Sequence, residues 1–533
     1  MPVTPLQAPP HVAPLHETGR APAAAAPLDD ADALRQFDRH FDAFDVAAKG
    51  GAGDGKVSRA DLEAAAGDAG RPDLARVAQY LLDHPDLRDA LDTAGEGGST
   101  DGTISHKDLA SYRLRSAPAD LPLLDTRTVP GSDANPTVLD ISAAPPDGAS
   151  WASETGPRAG IVSVYVDGEY FADATIFSEN GGRAQVNLGV LGAREDGRPH
   201  TIELRDSSAV GTGAPDAAID PASVSAQVRE LDTGSADPKV RNQALAAKYA
   251  PSLTLVDEGQ ATNNAPLMTT AQVIDHGDGT TTIAYRVLYS NEDGGDGSDP
   301  EVLDNRWGRT TDDERIYEVT IDADGNVIDF SGKNSGGAVL SDDDKGVREM
   351  QEARGAGGLP ALSIYNEHNN VQWDDPDARH NRAFSGAPVL VTTGPDTGPD
   401  QGNEPGPPTN AVMRDHPWTW AVANAEMVRE GKADAVAPYG RLYLGLDQGT
   451  FQGPARLGGL FHGPVEVEVT LRDGSTRTLP LEDVKGTSNS VSLALPFAPD
   501  QVASVRVAGV DGAQLQAYYL APDDTPMAVS TGS

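Results

Sequence analysis

The spacing of apolar positions changes along the chain, and the change separates two kinds of predicted structure. Between residues 29 and 115 apolar side chains recur every three or four positions, as short amphipathic helices require. These positions include Leu34, Phe37, Phe41, Phe44, Leu62, Leu74, Val77 and Leu81. From Gly160 onward the period becomes two, which is typical of strands. The pattern therefore predicts a multidomain α+β protein, with an N-terminal all-α unit followed by mainly antiparallel β-sandwich domains.

Asp-Gly pairs between alternating runs predict β-hairpins, because both residues tolerate positive φ in a tight turn. Four such pairs are flanked by β-branched residues: Asp167-Gly168, Asp278-Gly279, Asp324-Gly325 and Asp473-Gly474.

Stretches rich in Pro, Gly or Ala offer no periodic apolar face and suggest tails, linkers and loops. The predicted division is a disordered tail at 1–28, a helical unit at 29–115, a linker at 116–158, a small β-sandwich at 159–235, a large mainly-β domain at 241–522 and a disordered tail at 523–533. Within the large domain we expect a Pro/Gly-rich loop at 395–410 and a helix at 415–431.

The formal net charge of −40 changes the expectation about partners. So acidic a surface repels nucleic acid and favours divalent cations. The chain has no cysteine, which excludes disulfides and thiolate metal sites. No apolar stretch is long enough to predict a transmembrane segment.

The helical unit contains a repeat, in which residues 44–62 return without a gap 47 positions later as residues 91–109. Both copies keep an acid, Gly-Gly, Asp-Gly, a β-branched residue, Ser, an acid and Leu in register. This order is that of an EF-hand-like loop between two helices, so we expect an EF-hand-like pair at 29–115.

Each conserved position of the repeat has an expected role in binding a divalent cation. The first aspartate ends a helix, the Asp-Gly supplies a second carboxylate and a sharp turn, and the following residue supplies its carbonyl. Serine caps the second helix, and the last aspartate completes the coordination. The expected ligands are Asp45, Asp54, Lys56, Ser58 and Asp61 in the first loop and Asp92, Asp101, Thr103, Ser105 and Asp108 in the second. Val57 and Ile104 are expected to pair in a short two-stranded link.

Two departures from the standard loop leave alternatives open. Ten positions, rather than roughly five, separate the first aspartate from the glycine of Asp-Gly. The closing residue is Asp where a bidentate Glu is usual. The shorter side chain lowers the affinity and reduces the difference between the affinities for Ca²⁺ and Mg²⁺. We expect Ca²⁺, with Mg²⁺ possible; the alternative is a paired scaffold that binds no ion.

The repeat resembles the modules of type III translocon proteins of plant-associated bacteria, the nodulation-outer-protein X and harpin-secretion F family. The resemblance rests on Phe44-Asp45, Gly50-Gly51, Asp54-Gly55, Val57-Ser58 and Asp61-Leu62, and on their echo at 91–109. The resemblance covers about 80 residues. It does not extend to that family's membrane-inserting C-terminus, for which this chain has no counterpart. It implies a secreted bacterial protein, exported by a non-classical or type III route, with a cytoplasmic protein as the alternative.

The segment 241–522 resembles a bacterial protein family of unknown function and, more faintly, the Vps62-related β-sandwich proteins. Motifs such as Tyr249-Ala-Pro251 and His368-Asn369-Asn370 carry the likeness. Candidate catalytic groups near predicted strand ends are Glu292, Asp312, Glu314 and His368. If they converge, they would form a metal site or a carboxylate pair for hydrolysis; otherwise they are turn residues and surface pairs.

Two functions follow from these patterns. The first is a secreted calcium-binding protein whose β-domains bind a host protein or glycan. The second is a secreted hydrolase with its site in 290–370. A concave pocket holding His368 beside two of the carboxylates would favour the hydrolase.

Overall fold

The structure is a computed structural model of the 533-residue chain. It describes residues 28–94, 100–116, 118–129, 135–147, 149, 159–176, 184–191, 198–209, 218–255, 264–291, 300–333, 339–340, 360–364, 369, 371–373, 382–386, 388–391, 409–429, 438–446, 465–481, 490–522 and 525–532. These ranges leave out residues 1–27 of the predicted N-terminal tail, most of the Pro/Gly-rich loop, Glu292 and His368.

The N-terminal unit is built from six helices and two short strands. The helices are α1 Asp30–Arg39, α2 Phe41–Asp45, α3 Arg59–Ala66, α4 Pro72–Asp83, α5 Pro85–Asp92 and α6 His106–Arg115. The strands are β1 Lys56–Ser58 and β2 Thr103–Ser105, which pair antiparallel. Within this pair Val57 lies opposite Ile104, so the predicted link between the two loops is confirmed.

Aromatic and aliphatic side chains from all six helices close one core in this unit. Phe37, Phe41, Phe44 and Leu62 are almost fully buried, together with Val57 and Ile104 from the strands. The helical spacing seen in the sequence thus places one apolar face of each helix inward.

Four further helices lie in the rest of the described chain: α7 Pro238–Lys248, α8 Pro300–Trp307, α9 Thr409–Asp415 and α10 Trp418–Arg429. The last of these falls within the helix predicted at 415–431.

In the described ranges twenty-five more strands follow β2, most of them antiparallel to their neighbours. They are β3 Leu123–Val129, β4 Thr137–Ala143, β5 Gly160–Val166, β6 Glu169–Ile176, β7 Ala184–Leu191, β8 His200–Asp206, β9 Ser225–Glu230, β10 Ser252–Thr254, β11 Pro266–Asp275, β12 Thr281–Tyr289, β13 Asp312–Ile321, β14 Val327–Lys333, β15 Val339–Leu340, β16 Ala361–Ile364, β17 Val371–Trp373, β18 Ala383–Phe384, β19 Val389–Leu390, β20 Arg441–Leu446, β21 Val465–Leu471, β22 Thr476–Leu481, β23 Ser490–Ala494, β24 Val502–Val507, β25 Leu515–Leu520, β26 Pro526–Ala528 and β27 Ser530–Thr531.

These strands form five sheets, which confirms a multidomain chain with mainly antiparallel sheets and some helices. An eight-stranded sheet has the order β17-β16-β10-β18-β6-β5-β8-β3, and a six-stranded sheet has the order β15-β14-β13-β12-β11-β19. The remaining sheets are β7-β4-β9, β23-β20-β25-β26 and β22-β21-β24-β27. The last two pack over a separate core that includes Leu442, Val467 and Val505.

All four Asp-Gly pairs lie in hairpin turns between consecutive strands, as predicted. At the first of them both residues are left-handed, with φ of 54° at Asp167 and 87° at Gly168. The glycines of the other three pairs also have positive φ. Glycine has no Cβ to clash in this region, so the turn chemistry set the hairpin register locally.

The structure differs from the predicted division of the chain in three places. The segment 116–158 was expected as a linker, but it contains β3 and β4. The tail at 523–533 was expected to be disordered, but β26 and β27 lie in it. The eight-stranded sheet contains strands from both sides of residues 235–241. Each of these strands is paired by residues distant in sequence, which local periodicity does not report.

The helical unit contacts the eight-stranded sheet through α6. The Tyr165 hydroxyl of β5 donates a 2.8 Å hydrogen bond to the Leu114 carbonyl oxygen. The Arg115 guanidinium lies 4.8 Å from the centre of the Tyr170 ring, a cation–π distance. The second loop is therefore joined, through β2 and α6, to the large sheet. Among the described helices, none is long and apolar enough to cross a bilayer.

Candidate metal-binding loops

The two repeated segments adopt the same local structure at the positions described in both, which exclude residues 95–99 of the second segment. Each begins where a short helix ends, at Asp45 in α2 and Asp92 in α5, and each ends in a strand followed by a helix. Ser58 and Ser105 are the N-caps of α3 and α6, and each completes a capping box with the aspartate three residues later. The sequence order Ser-x-x-Asp accounts for this, because each side chain satisfies a free backbone N–H of the other residue.

A lysine ammonium lies at the centre of the first loop. Lys49 Nζ is 2.6 Å from Asp45 Oδ1, 2.7 Å from Asp54 Oδ1 and 2.5 Å from the carbonyl oxygen of Lys56. It is also 3.4 Å from Asp61 Oδ2. Four of the five residues predicted as metal ligands in this loop therefore surround one positive charge.

The Asp45 carboxylate accepts hydrogen bonds from three groups of this loop. It is 5% exposed, and besides Lys49 it accepts hydrogen bonds from the backbone N–H groups of Gly55 at 2.9 Å and Asp54 at 3.2 Å. Burial would raise the pKa of Asp45, but Lys49 and the two N–H groups outweigh burial and lower the pKa to about 2. Asp45 is thus held ionised around neutral pH.

Asp61 is fully buried and is shared between the loop and α3. Its Oδ2 accepts hydrogen bonds from the Ser58 N–H at 2.9 Å and the Ser58 hydroxyl at 2.6 Å, and its Oδ1 accepts one from the Ala48 N–H at 3.2 Å. Burial raises the pKa of Asp61, but these bonds and Lys49 outweigh it and lower the pKa. The capping box therefore holds the closing carboxylate against the loop.

The second loop repeats the arrangement around Asp92 with a different electrostatic result. Asp92 is 8% exposed, and its carboxylate accepts hydrogen bonds from Asp101 N–H at 3.1 Å and Gly102 N–H at 3.0 Å. Burial and the nearby negative charge of Asp101 outweigh these bonds, so the pKa of Asp92 is raised. Asp45 and Asp92 hold equivalent positions, yet their pKa values move in opposite directions. The reason is that Asp45 has the Lys49 ammonium beside it, whereas Asp92 has the negative charge of Asp101.

Asp101, the second carboxylate of this loop, is held from two sides. Its Oδ1 accepts hydrogen bonds from the Thr103 hydroxyl at 2.6 Å and the Thr103 N–H at 2.8 Å, and its Oδ2 lies 2.9 Å from Lys56 Nζ of the first loop. Hydrogen bonds from Thr103 and Lys56 lower the pKa of Asp101 to about 2. Asp108 accepts from the Ser105 N–H and hydroxyl at 2.7 and 2.6 Å, as Asp61 does from Ser58.

Lys49 is the residue that sequence reasoning missed. It lies in the inserted part of the loop, and a basic residue between conserved acids was the available signal. The residue 47 positions later is Glu96, which lies outside the described part of the chain. Throughout the described ranges, no group of three or more His, Asp or Glu side chains is arranged to hold a metal ion. In the first loop, the ammonium fills the space between the carboxylates.

The candidate catalytic residues of the β-region are only partly described. Asp312, on β13, accepts a 3.1 Å hydrogen bond from the Asn369 side-chain amide, which also donates 2.9 Å to the Asn291 carbonyl oxygen. Asn369 follows His368 directly and is left-handed, with φ of 53°. Glu314 lies two residues beyond Asp312 on the same strand. Since Glu292 and His368 are outside the described residues, their convergence with these carboxylates remains a prediction.

The carboxylate between these two candidates has a structural partner. Asp313 Oδ1 lies 3.1 Å from Arg286 Nε, and the Thr409 hydroxyl donates to its Oδ2. Burial raises the pKa of Asp313, but Arg286 and Arg309 outweigh it and the pKa is lowered. This carboxylate joins α9 to β12 and β13.

Comparisons with known proteins do not identify a family for this chain. No family model and no curated protein matches it. Among solved structures it matches a biofilm associated protein, BSP domain, at 10% identity and a TM-score of 0.10, over 74% of this chain and 85% of that chain. A TM-score this low carries no argument about fold or function.

Proposed function

We propose that residues 29–115 form an EF-hand-like pair that binds a divalent cation, Ca²⁺ in preference to Mg²⁺, in the second loop. One observation carries the proposal. In the first loop the oxygens of Asp45, Asp54, Asp61 and Lys56 surround a single cationic group, the Lys49 ammonium. The repeated loop frame is therefore one that gathers oxygens around a positive charge.

The described part of the second loop has the same frame, and in the sequence Glu96 stands where the first loop has Lys49. Asp92, Asp101 and Asp108 repeat the three carboxylates, and β1–β2 pairing holds the two loops side by side. A carboxylate has about four acceptor positions, so the backbone bonds to Asp92 leave room for a cation. Burial and the negative charge of Asp101 raise the pKa of Asp92, and a bound divalent ion would stabilise its charged form.

The type of ligand supports Ca²⁺ over Mg²⁺. All the proposed ligands are hard oxygens, and the loop is long and rich in glycine. Ca²⁺ accepts irregular geometry with six to eight oxygens, whereas Mg²⁺ requires a near-ideal octahedron. With Asp rather than Glu as the closing residue, we expect a dissociation constant on the order of 10⁻⁵–10⁻³ M.

For the whole chain, the proposal is a secreted bacterial calcium-binding protein whose β-domains bind a host or surface partner, a protein or a glycan. The acidic, cysteine-free composition supports this wider proposal. The contact of α6 with the eight-stranded sheet supports a link between the ion-binding loop and the β-domains, because α6 begins next to Ser105.

Calorimetric titration of Ca²⁺ into the metal-free full-length protein tests the proposed site. Asp101→Asn keeps the size of the side chain and removes its charge. We expect it to weaken Ca²⁺ binding by roughly tenfold or more, since affinity depends on the number of charged ligands. Asp54→Asn is the matched control, because it makes the same change 47 residues earlier, in the loop that holds Lys49.

Equal binding heats for the wild type and Asp101→Asn would remove the second loop from the proposal. A loss of binding in Asp54→Asn, with Asp101→Asn unaffected, would move the ion to the first loop. Mg²⁺ in place of Ca²⁺ in the same titration tests the preference between the two ions.

The hydrolase alternative has less support from the described residues. Asp312 and Asp313 are engaged by Asn369 and Arg286, which are contacts that hold strands and loops together. Neither group is left as a free acid or base pair facing a described cleft.

A further inference from the structure

We propose that the Lys49 ammonium is the permanent cation of the first loop, which makes that loop independent of metal ions and unable to accept one. The inference rests on the proposed function for the second loop and specifies its stoichiometry. The pair would bind one ion per chain, and its two halves would respond differently to calcium.

The contacts of Lys49 account for the whole donor capacity of its side chain. An ammonium has three donors and no acceptor. Its three nearest partners are Asp45 Oδ1, Asp54 Oδ1 and the Lys56 carbonyl oxygen, all within 2.7 Å. A divalent ion could reach these oxygens only after displacing the ammonium.

Burial of two of the surrounding carboxylates makes this displacement costly. The Lys49 side chain is 24% exposed and those of Asp45 and Asp61 are 7% and 0% exposed, whereas that of Asp54 is 63% exposed. An ion pair removed from water to this degree is weakened much less by salt than an exposed pair. The lysine is also part of the loop, so its effective concentration is far above that of a free ion.

The insertion that lengthens the loop is what delivers the lysine. Lys49 follows α2 in a turn closed by its N–H to the Val46 carbonyl oxygen at 3.3 Å. Gly50 and Gly51 then adopt φ of 70° and 111°. These left-handed positions reverse the chain, so that Asp54 and Lys56 return beside the ammonium; a side chain at either glycine would be strained.

A third glycine distinguishes the first loop from the second. At Gly53 a Cβ atom would lie 2.3 Å from Asp45 Oδ2, so a side chain there would move the Asp45 carboxylate away from its position beside Lys49. The equivalent residue of the second loop is Thr100.

Charge separates the two loops in the same direction. Over residues 44–62 three aspartates are balanced by Lys49, Lys56 and Arg59, so the formal charge of the first copy is 0, whereas residues 91–109 have four acids against Lys107 and a formal charge of −3. Coulomb attraction grows with this charge, so a divalent ion favours the second loop.

Ca²⁺ titration of the full-length protein by calorimetry tests the inference through stoichiometry. We expect one ion for the wild type, two for Lys49→Met and none for Glu96→Lys, which introduces a lysine at the sequence position equivalent to Lys49. Lys239→Met is the control, since Lys239 is an exposed residue at the start of α7, and it should bind one ion.

Two ions bound by the wild type would overturn the inference and leave the proposed function standing. No ion for the wild type and one for Lys49→Met would support the inference and overturn the proposed function. No ion for either, with both proteins folded, would overturn the inference.

Acylation of the wild-type protein with an amine reagent, read by mass spectrometry, covers the case in which Lys49→Met does not fold. We expect Lys49 to react at least about tenfold more slowly than Lys239, because it must first leave the loop by local opening. Its rate should be the same with and without Ca²⁺. Faster acylation of Lys49 on adding Ca²⁺ would show that the ion displaces it, and would overturn the inference.

Discussion

At the scale of single residues, two lysines of the first loop act on the cation chemistry of the repeat. Lys49 lies among the carboxylates of its own loop, and Lys56 reaches across to the second loop. The position of Lys56 corresponds to Thr103 in the second copy. The presence or absence of a lysine at these two positions therefore decides which carboxylates are paired with a positive charge of the protein itself.

We predict that Lys56→Thr strengthens Ca²⁺ binding by up to about fivefold, since an exposed ion pair contributes up to about 1 kcal/mol. Lys56 Nζ lies 2.9 Å from Asp101 Oδ2, and the two side chains are 44% and 37% exposed, so the lysine competes with the ion. Calorimetry at low ionic strength measures the change. Lys56→Arg keeps the charge and should leave the affinity unchanged; a weaker Lys56→Thr would contradict the prediction.

At the scale of elements, local sequence accounts for the ends of helices and the turns of hairpins. Capping boxes at Ser58 and Ser105 start α3 and α6, and Asp-Gly turns close four hairpins. These features need only neighbouring residues, which is why the sequence predicts them well. Connections between consecutive helices depend instead on burial, as at the junction of α9 and α10.

That junction supplies a prediction about pH. His416 connects the two helices and is partly buried, and burial lowers its pKa below the ordinary 6.5 despite the neighbouring Asp415. A lowered pKa means that folding favours the neutral ring. The associated stability is therefore complete above pH 6.5 and is lost as the pH falls below that value. His416→Gln should flatten this loss between pH 7 and pH 5.

Urea denaturation of the full-length protein across this pH range measures the effect. His276→Gln is the control, because His276 is an exposed turn residue. An equal loss of stability on acidification in the wild type and His416→Gln would show that His416 does not carry the dependence.

At the scale of the whole molecule, one buried ion pair joins segments that the sequence separates. Arg382 Nη1 lies 2.5 Å from Asp173 Oδ2, and the two side chains are 1% and 4% exposed. The pair lies where β18 meets β6, in the sheet that combines strands from before and after residues 235–241. It therefore fixes two distant parts of the chain to each other.

We predict that Arg382→Met destabilises the protein by about 3–5 kcal/mol, because Asp173 would remain buried without its counter-charge. The double variant Arg382→Met/Asp173→Asn removes both charges and should recover part of that loss. A double-mutant cycle measured by urea denaturation isolates the coupling between the two side chains. A loss below about 1 kcal/mol for Arg382→Met would place this pair among weak surface contacts.

The sequence by itself determined the local features: the repeat, the helix caps, the paired Val57 and Ile104, and the hairpin turns. Each depends on residues close along the chain or on the internal repeat, whose key positions recur in register. Only the tertiary structure decided that the segment expected as a linker forms β3 and β4, and that one sheet contains strands from two expected domains. Only it placed Lys49 among Asp45, Asp54 and Asp61, because a side chain's position in a folded-back loop depends on positive-φ glycines and close packing that no periodicity reports.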